Sequence, residues 1–122
     1  MYRISKEFHF SASHQLHDLP RDHPCGRVHG HNYIVKVILI AEQTNEHGFV
    51  LDYNDMKPFG QWIDDRLDHR HLNDVMEDQP SAENMARALC AVVKDMLDLP
   101  EDVAVCVAVS ETPKTWAEWC SI

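Results

Sequence analysis

The sequence predicts an α+β fold, an antiparallel four-stranded sheet with two helices in the order ββααββ. Three observations predict it: two strand-like segments lie before residue 43, two segments between residues 56 and 97 place apolar residues three and four apart, and two more strand-like segments follow residue 103. Helices gathered between two pairs of strands are typical of this class. The 122 residues suit a single domain, residues 1–122, with a core of its own.

The first two strands are predicted from alternation and from β-branched content. Residues 3–14 alternate apolar with polar side chains, as a half-buried strand does. Residues 15–28 hold two prolines and a glycine among charges, which indicates a loop. Residues 31–43 are rich in Val, Ile and Leu and predict a long second strand. The apolar residues that share one parity in the first strand are Ile4, Phe8, Phe10 and Ala12.

Two helices and two strands are predicted for the rest of the chain. Asp52 is the expected N-cap of a helix over about residues 53–67, and Ser81 is the expected N-cap of a second helix. Each helix has one apolar face. Residues 103–110 alternate Val with smaller side chains and predict the third strand, and residues 116–122 predict the fourth.

Composition and charge exclude several classes of protein. Apolar residues make up 44% and charged residues 25%, a mixture that argues against disorder. Twenty acidic against eleven basic residues give a net charge of -9, which disfavours nucleic-acid and anionic-membrane partners. The longest aliphatic stretch, residues 35–41, is too short to span a bilayer. The first residues lack the apolar core of a secretion signal, so a cytoplasmic location is expected.

Four cysteines are spread along the chain, with no two closer than 14 positions: Cys25, Cys90, Cys106 and Cys120. This spacing gives neither a CxxC motif nor a dense disulfide framework. In a cytoplasmic protein it indicates reduced thiols, although it leaves a bridge open.

Histidine is the unusual residue, because six of the nine lie at or before His31. His29 and His31 are two apart at the start of the second strand and project to one face. His14 ends the first strand at the parity of its apolar residues, so antiparallel pairing would bring it beside them. Three imidazoles supply three of the four tetrahedral positions of zinc, with the fourth left open. The alternative to a zinc site is that these three histidines only form hydrogen bonds with backbone groups or water. The other N-terminal histidines are assigned no role.

Two further groups are candidates for catalysis. Cys25 lies four residues before His29, and near a divalent metal and Arg27 its thiol would ionise more easily and act as base or nucleophile. An inert loop cysteine or a fourth zinc ligand explains Cys25 equally well. Asp68 and His69 are adjacent and suit an acid/base relay, whereas capping of a helix end is the alternative.

Glu111 is a candidate ligand-binding residue. It continues the parity of the alternating valines of the third strand, so a carboxylate ends an apolar face. A buried carboxylate needs donors, and a planar amidine-like N–H pair on a ligand would supply them in bidentate fashion. The alternative is a strand-end Glu that emerges into water.

Several ordered motifs run over nearly the whole chain: Phe10-Ser11-Ala12-Ser13-His14, Cys25-Gly26-Arg27-Val28-His29-Gly30-His31-Asn32-Tyr33, Leu51-Asp52-Tyr53, Leu67-Asp68-His69, Leu72-Asn73, Pro80-Ser81-Ala82-Glu83-Asn84 and Ser110-Glu111-Thr112. Together they resemble the 6-pyruvoyl-tetrahydropterin synthase family. The three-residue gap between Cys25 and His29 is similar to its 6-carboxy-tetrahydropterin synthase branch.

The resemblance implies a zinc-dependent carbon–carbon lyase. Its Zn²⁺ would be held by His14, His29 and His31, and Glu111 would anchor a pterin ring. The implied reaction converts 7,8-dihydroneopterin triphosphate to 6-carboxy-5,6,7,8-tetrahydropterin and releases acetaldehyde and triphosphate, a step toward the modified tRNA base queuosine.

The resemblance also implies an assembly. Family members are T-fold subunits whose sheets join into a barrel in a trimer, and two trimers stack as a hexamer. The implied catalytic set is Cys25, Asp68 and His69, with the Asp–His pair supplied by a neighbour of the chain that holds the zinc. A homo-oligomer with active sites between subunits is therefore expected.

One departure from the family concerns the phosphates. The residue before the cysteine is often basic in the family and is Pro24 here. Arg27, Arg21 and Lys114 are the candidates for contacting the triphosphate in its place.

Three other functions compete with the carboxy-tetrahydropterin reaction. The same fold making 6-pyruvoyl-tetrahydropterin would eliminate triphosphate without losing carbon. A non-catalytic zinc module would close its coordination shell with Cys25, and a thiol hydrolase would use Cys25 with His69 and no metal.

Overall fold

A computed structural model describes residues 1–20 and 22–121 as a five-stranded sheet with two helices. The strands run in the spatial order β3-β1-β2-β4-β5. The elements are β1 (Tyr2–His14), β2 (His29–Ala41), α1 (Lys57–Arg66), β3 (Arg70–His71), α2 (Ala82–Met96), β4 (Ala104–Thr112) and β5 (Thr115–Cys120).

The four long strands pair antiparallel, as the sequence predicts. β1 and β2 match along their whole length, from Tyr2 opposite Ala41 to His14 opposite His29. β2 then pairs with β4, and β4 with β5. The alternation of β1 is visible in its burial, with Phe10 and Ala12 buried between half-exposed neighbours. Of the predicted fourth strand, residue 122 lies outside the described residues.

The prediction of a four-stranded, purely antiparallel sheet is wrong in one respect. β3 is a two-residue strand that pairs parallel with Ala12 and Ser13 on the outer edge of β1, so the sheet is mixed. This strand is held by neighbouring bonds: the Ser11 N–H donates to Asp68 Oδ1 (2.9 Å), and the His69 N–H donates to the Ser11 carbonyl (2.6 Å). A strand of two residues is too short to show the alternation of apolar and polar side chains, so the sequence does not predict β3.

Both predicted helix N-caps are present. The Asp52 side chain accepts from the Asn54 N–H, but it caps a 3₁₀ turn, Tyr53–Met56, that precedes α1. The Ser81 hydroxyl accepts from the Asn84 N–H at the start of α2. Among the described residues, no helix is long and apolar enough to cross a membrane.

The main core lies between the helices and the sheet face that carries the alternating apolar residues. Its largest fully buried side chains include Tyr33, Phe59 and Leu39. A smaller cluster on the other face contains Ile38, Ile40, Cys106 and Ala108.

The expectation of reduced thiols is wrong for one pair of cysteines. Cys106 and Cys120 lie directly opposite each other on β4 and β5, with Cα atoms 4.0 Å apart, and form a disulfide. Strand register brings the pair together, and a spacing of 14 residues in sequence does not reveal register. Cys25 and Cys90 are free.

Candidate metal centre and its surroundings

The β1–β2 ladder brings three histidines to one point. His14 and His29 are direct cross-strand partners, and His31 faces Ala12 two residues further along β2. One ring nitrogen from each lies within 4.8 Å of the other two. His14 is fully buried, and the other two are half-buried. The sequence-predicted cluster is thus a single group of three imidazoles.

Backbone carbonyls set the tautomers of two of these rings. His14 Nδ1 lies 2.7 Å from the Pro80 carbonyl, and His29 Nδ1 lies 2.7 Å from the Arg27 carbonyl. A carbonyl only accepts, so each Nδ1 donates and each neutral ring keeps its lone pair on Nε2. These two Nε2 atoms are only 2.9 Å apart. Two facing lone pairs repel at this distance unless a cation lies between them.

The third ring offers an unsatisfied nitrogen. His31 Nε2 is buried and has no hydrogen-bond partner among the described residues, and the Glu111 Oε2 atom lies 3.7 Å away. A buried polar atom without a partner is costly in a folded protein and calls for a ligand. Together with the two facing lone pairs, this atom fits a metal ion.

Burial keeps the ligand nitrogens available. Desolvation lowers the pKa of His14 and of His31, an effect that outweighs the opposing charge of Glu111. Neutral imidazole is the form that binds a metal. The Tyr33 hydroxyl, 3.2 Å from His14 Nδ1, has a pKa raised by burial and stays protonated.

Three neutral imidazole nitrogens, each anchored or enclosed by the fold, suit zinc better than calcium or magnesium, which prefer oxygen. Carbonyl acceptors on the far nitrogens are the usual outer partners of such ligands. Cys25 is not a member of the group of ligand atoms.

Cys25 lies in a short turn, Pro24–Gly26, between β1 and β2. Two bonds tie this turn to the end of β1: the Leu16 N–H donates to the Cys25 carbonyl, and the Gln15 side chain donates to the Gly26 carbonyl. The thiol is half-buried and free. The turn therefore stays next to the strand that ends in His14.

Asp68 and His69 form the predicted pair, but this pair does not lie at the group of three histidines. Asp68 Oδ2 and His69 Nδ1 are 2.9 Å apart, and Asp68 Oδ1 is bound by the Ser11 N–H. The pKa of Asp68 is lowered mainly by the bond from the Ser11 N–H, and to a smaller extent by the bond to His69. His69 has a left-handed backbone with φ of 59°. A non-glycine residue held there is strained, and such strain concentrates at functional sites.

The structure does not bring this pair to the histidine group within one chain. His69 lines a cleft of about 430 Å³ with Ser11 and Ser13, and His31 is the one member of the histidine group that also contributes to its lining. Because side chains alternate along a strand, these serines project to the face of β1 opposite to Ala12 and His14.

Glu111 does lie beside the histidine group. The valine alternation of β4 carries it to the same face as His31, although the pairing with β5 shifts register between Val109 and Thr112. Glu111 also lines a cavity of about 620 Å³ between β5 and the start of α2, next to Ser81 and Trp119. A carboxylate at the mouth of such a cavity suits a ligand with N–H donors.

The candidate phosphate-binding residues are scattered. Arg27 is exposed, and its backbone carbonyl accepts a hydrogen bond from His29 Nδ1. Lys114 is exposed in the turn between β4 and β5. Arg21 lies outside the described residues. Their nearness in sequence to the other site residues is the only feature that predicts a phosphate contact for these residues.

The sequence assigned no role to Asn73, which the structure places beside the residue that follows His14. Its side chain accepts from the Gln15 N–H (2.8 Å) and donates to the Gln15 carbonyl (2.7 Å), the residue that follows His14. The Leu72-Asn73 motif was the available signal, since an Asn at a strand edge can replace a backbone partner.

Comparison with known proteins agrees with this geometry. The family model described as 6-pyruvoyl tetrahydropterin synthase matches residues 3–120. A 6-carboxy-5,6,7,8-tetrahydropterin synthase of Bacillus subtilis is 29% identical over 94% of this chain and 82% of its own length. A relative in Archaeoglobus fulgidus, named putative 6-carboxy-5,6,7,8-tetrahydropterin synthase, is 34% identical over 89% and 87%. The structure of Caenorhabditis elegans 6-pyruvoyl tetrahydropterin synthase superposes with a TM-score of 0.85 at 27% identity, covering 99% and 96% of the two chains.

A match over nearly the whole chain, curated relatives of consistent name and a shared fold lead to one conclusion. The chain belongs to the 6-pyruvoyl tetrahydropterin synthase family, and its similarity to the curated relatives supports the 6-carboxy-5,6,7,8-tetrahydropterin synthase branch.

Proposed function

We propose that this single-domain protein is a zinc-dependent 6-carboxy-5,6,7,8-tetrahydropterin synthase. The proposed substrates are 7,8-dihydroneopterin triphosphate and one water, and the products are 6-carboxy-5,6,7,8-tetrahydropterin, acetaldehyde and triphosphate, in a cytoplasmic step toward queuosine. The observation that carries this assignment is the group of three imidazoles with facing lone pairs, placed beside a carboxylate, in a chain of this family.

His14, His29 and His31 would hold the zinc. When bound, zinc supplies Lewis acidity toward the hydroxyl oxygens of the substrate side chain. Pro80 and Arg27 serve through their carbonyls, which keep two of the imidazoles in the ligating tautomer. The same carbonyls fix the ring directions before the metal arrives.

Glu111 would bind the ring, and Cys25 would move a proton. The Glu111 carboxylate accepts the paired N–H groups of the pterin edge from its place at the cavity mouth. Cys25, a free thiol in a turn tied to the end of β1, removes a proton from the substrate side chain as the thiolate. The reduced pterin ring takes up hydrogen internally, so no nicotinamide is required.

His69, oriented by Asp68, would complete the site from a second copy of the chain. Within one chain it faces the opposite side of β1 from His14, so it serves a neighbour. Both sheet edges have room for a neighbour: β3 covers only two residues of β1, and β5 pairs only with β4. We therefore propose a homo-oligomer with sites between subunits, a hexamer of two trimers in which each trimer forms a barrel.

Product analysis tests the reaction. Incubation of the zinc-loaded protein with 7,8-dihydroneopterin triphosphate should release acetaldehyde and leave a carboxylated tetrahydropterin by mass. Triphosphate release with a 6-pyruvoyl product and no acetaldehyde would instead establish the pyruvoyl activity, the runner-up function.

Mixing two inactive variants tests the shared site. Chains carrying His29→Ala and chains carrying His69→Ala should each be inactive alone, while mixed assemblies should recover up to about a quarter of wild-type activity, because one interface in four then joins two intact halves. A site built within one chain predicts no recovery, since every chain keeps one defect. Mixing either variant with Asp68→Asn chains separates the halves further: only the His29→Ala partner should recover.

A further inference from the structure

The cleft that holds His69 differs in charge from four other clefts formed by the described residues. Four other clefts are each lined by at least one carboxylate, although the cleft of His69 is lined by none. Its lining includes the consecutive basic residues His69, Arg70 and His71, together with His31 of the histidine group. In a chain of net charge -9, this local absence of acidic lining favours an anionic ligand.

Three polar side chains in this cleft are each oriented by a bond within the protein. His71 Nδ1 lies 2.9 Å from the Ser13 hydroxyl, and Asn32 Oδ1 accepts from the Ser11 hydroxyl at 2.7 Å. His69 Nδ1 is engaged by Asp68, as described above. The bond to Ser11 leaves the Asn32 amide N–H₂ for a ligand, and a His71 ring whose Nδ1 accepts from Ser13 carries its N–H on Nε2. The neutral His69 ring donates through Nδ1 to Asp68 and is not counted among the donors.

The neighbouring charged groups leave this donor set intact. Both carboxylate oxygens of Asp68 are already used, by the Ser11 N–H and by His69. Arg70 donates through one nitrogen to the Asp65 carbonyl at 3.0 Å, and its remaining N–H groups are left to bind an anion. Oriented amide, imidazole and guanidinium donors are the groups that bind phosphate oxygens.

We propose that this cleft binds the polyphosphate end of a phosphate ester, with Asn32, Arg70 and His71 as its ligands. The volume of about 430 Å³ accommodates a triphosphate. Resting on the proposed function, the phosphates belong to a substrate whose side chain lies at the histidines of a second copy, because the cleft opens on the opposite face of β1. The phosphate contacts are then Asn32, Arg70 and His71 rather than Arg27 or Lys114.

Calorimetric titration with inorganic triphosphate tests the site on the zinc-loaded protein. Wild type should bind triphosphate. Asn32→Ala and His71→Gln should each raise the apparent Kd by about tenfold or more, since each removes an oriented donor to a charged ligand. The exposed matched controls Asn54→Ala and His47→Gln should bind as wild type does. Zinc content measured after each titration checks that triphosphate has not extracted the metal.

A further variant separates the cleft from the metal. His29→Ala leaves the cleft untouched, so it should retain triphosphate binding. Loss of binding in His29→Ala with no change in Asn32→Ala and His71→Gln would place the anion on the metal and overturn the proposal, as would no binding by wild type. Binding that depends on the cleft, in a protein that does not turn over 7,8-dihydroneopterin triphosphate, would support the anion site and refute only the proposed function.

Discussion

Removal of zinc is expected to lower the thermal stability of this protein by an amount that the free zinc concentration sets. The structure gives the reason: the Nε2 lone pairs of His14 and His29 face each other at 2.9 Å, and His31 Nε2 is buried without a partner among the described residues. A bound cation relieves both defects, and the unfolded chain has no such preformed group.

The size of the effect follows from linkage. A ligand that binds only the folded state stabilises it by about 2.7 kcal/mol when its free concentration is 100 times its Kd. For a chain of 122 residues, 1 kcal/mol corresponds to about 4 °C in Tm, so zinc at this level should raise Tm by about 10 °C. Each further tenfold rise in free zinc should add about 1.4 kcal/mol, or about 5 °C.

Differential scanning calorimetry in zinc buffers measures this shift. His31→Ala should lose most of the zinc-dependent rise, whereas the exposed control His9→Ala on β1 should keep it. Cys25→Ala should also keep it, because Cys25 is outside the group of ligand atoms. A Tm independent of zinc in wild type, or an equal rise in His31→Ala, would refute the reasoning.

Three other predictions concern Cys25, Asn73 and Asp68. Cys25→Ala should retain stoichiometric zinc and lose turnover by about 100-fold or more, the usual worth of a proton-transfer group; loss of zinc would indicate a fourth ligand instead. Asn73→Ala removes both bonds to Gln15 and should weaken zinc binding by about tenfold in chelator competition, with unchanged affinity contradicting a positioning role. Asp68 has a lowered pKa, chiefly through the Ser11 N–H, so its carboxylate stabilises the fold above the ordinary Asp pKa of about 3.9 and that contribution is lost as pH falls through the lowered value. The Tm difference between wild type and Asp68→Asn should therefore shrink at pH values below about 4, and a difference that grows on acidification in this range would have the wrong sign.

Much of the fold and of the candidate centre can be predicted from local patterns in the sequence. The period-two alternation of residues 3–14 predicted β1 and the face of His14, and the spacing of His29 and His31 predicted their shared face. The helix caps at Asp52 and Ser81 were likewise recognisable, because a cap depends on residues only two or three positions away. Patterns of this kind are local, so they survive in a single sequence.

Other features depend on contacts between distant residues. The parallel strand β3, the Cys106–Cys120 disulfide and the Asn73 bonds to Gln15 each result from register, which no short window of sequence encodes. The same is true of the face on which His69 lies.

The sequence by itself determined which imidazoles converge, because alternation and antiparallel pairing leave one geometry for His14, His29 and His31. Only the tertiary structure decided which nitrogen of the His14 and His29 rings is free, since the carbonyls of Pro80 and Arg27 make that choice. It also placed the Asp68–His69 pair at the outer edge of β1, in a cleft with Ser11 and Ser13, because β3 pairs with that edge.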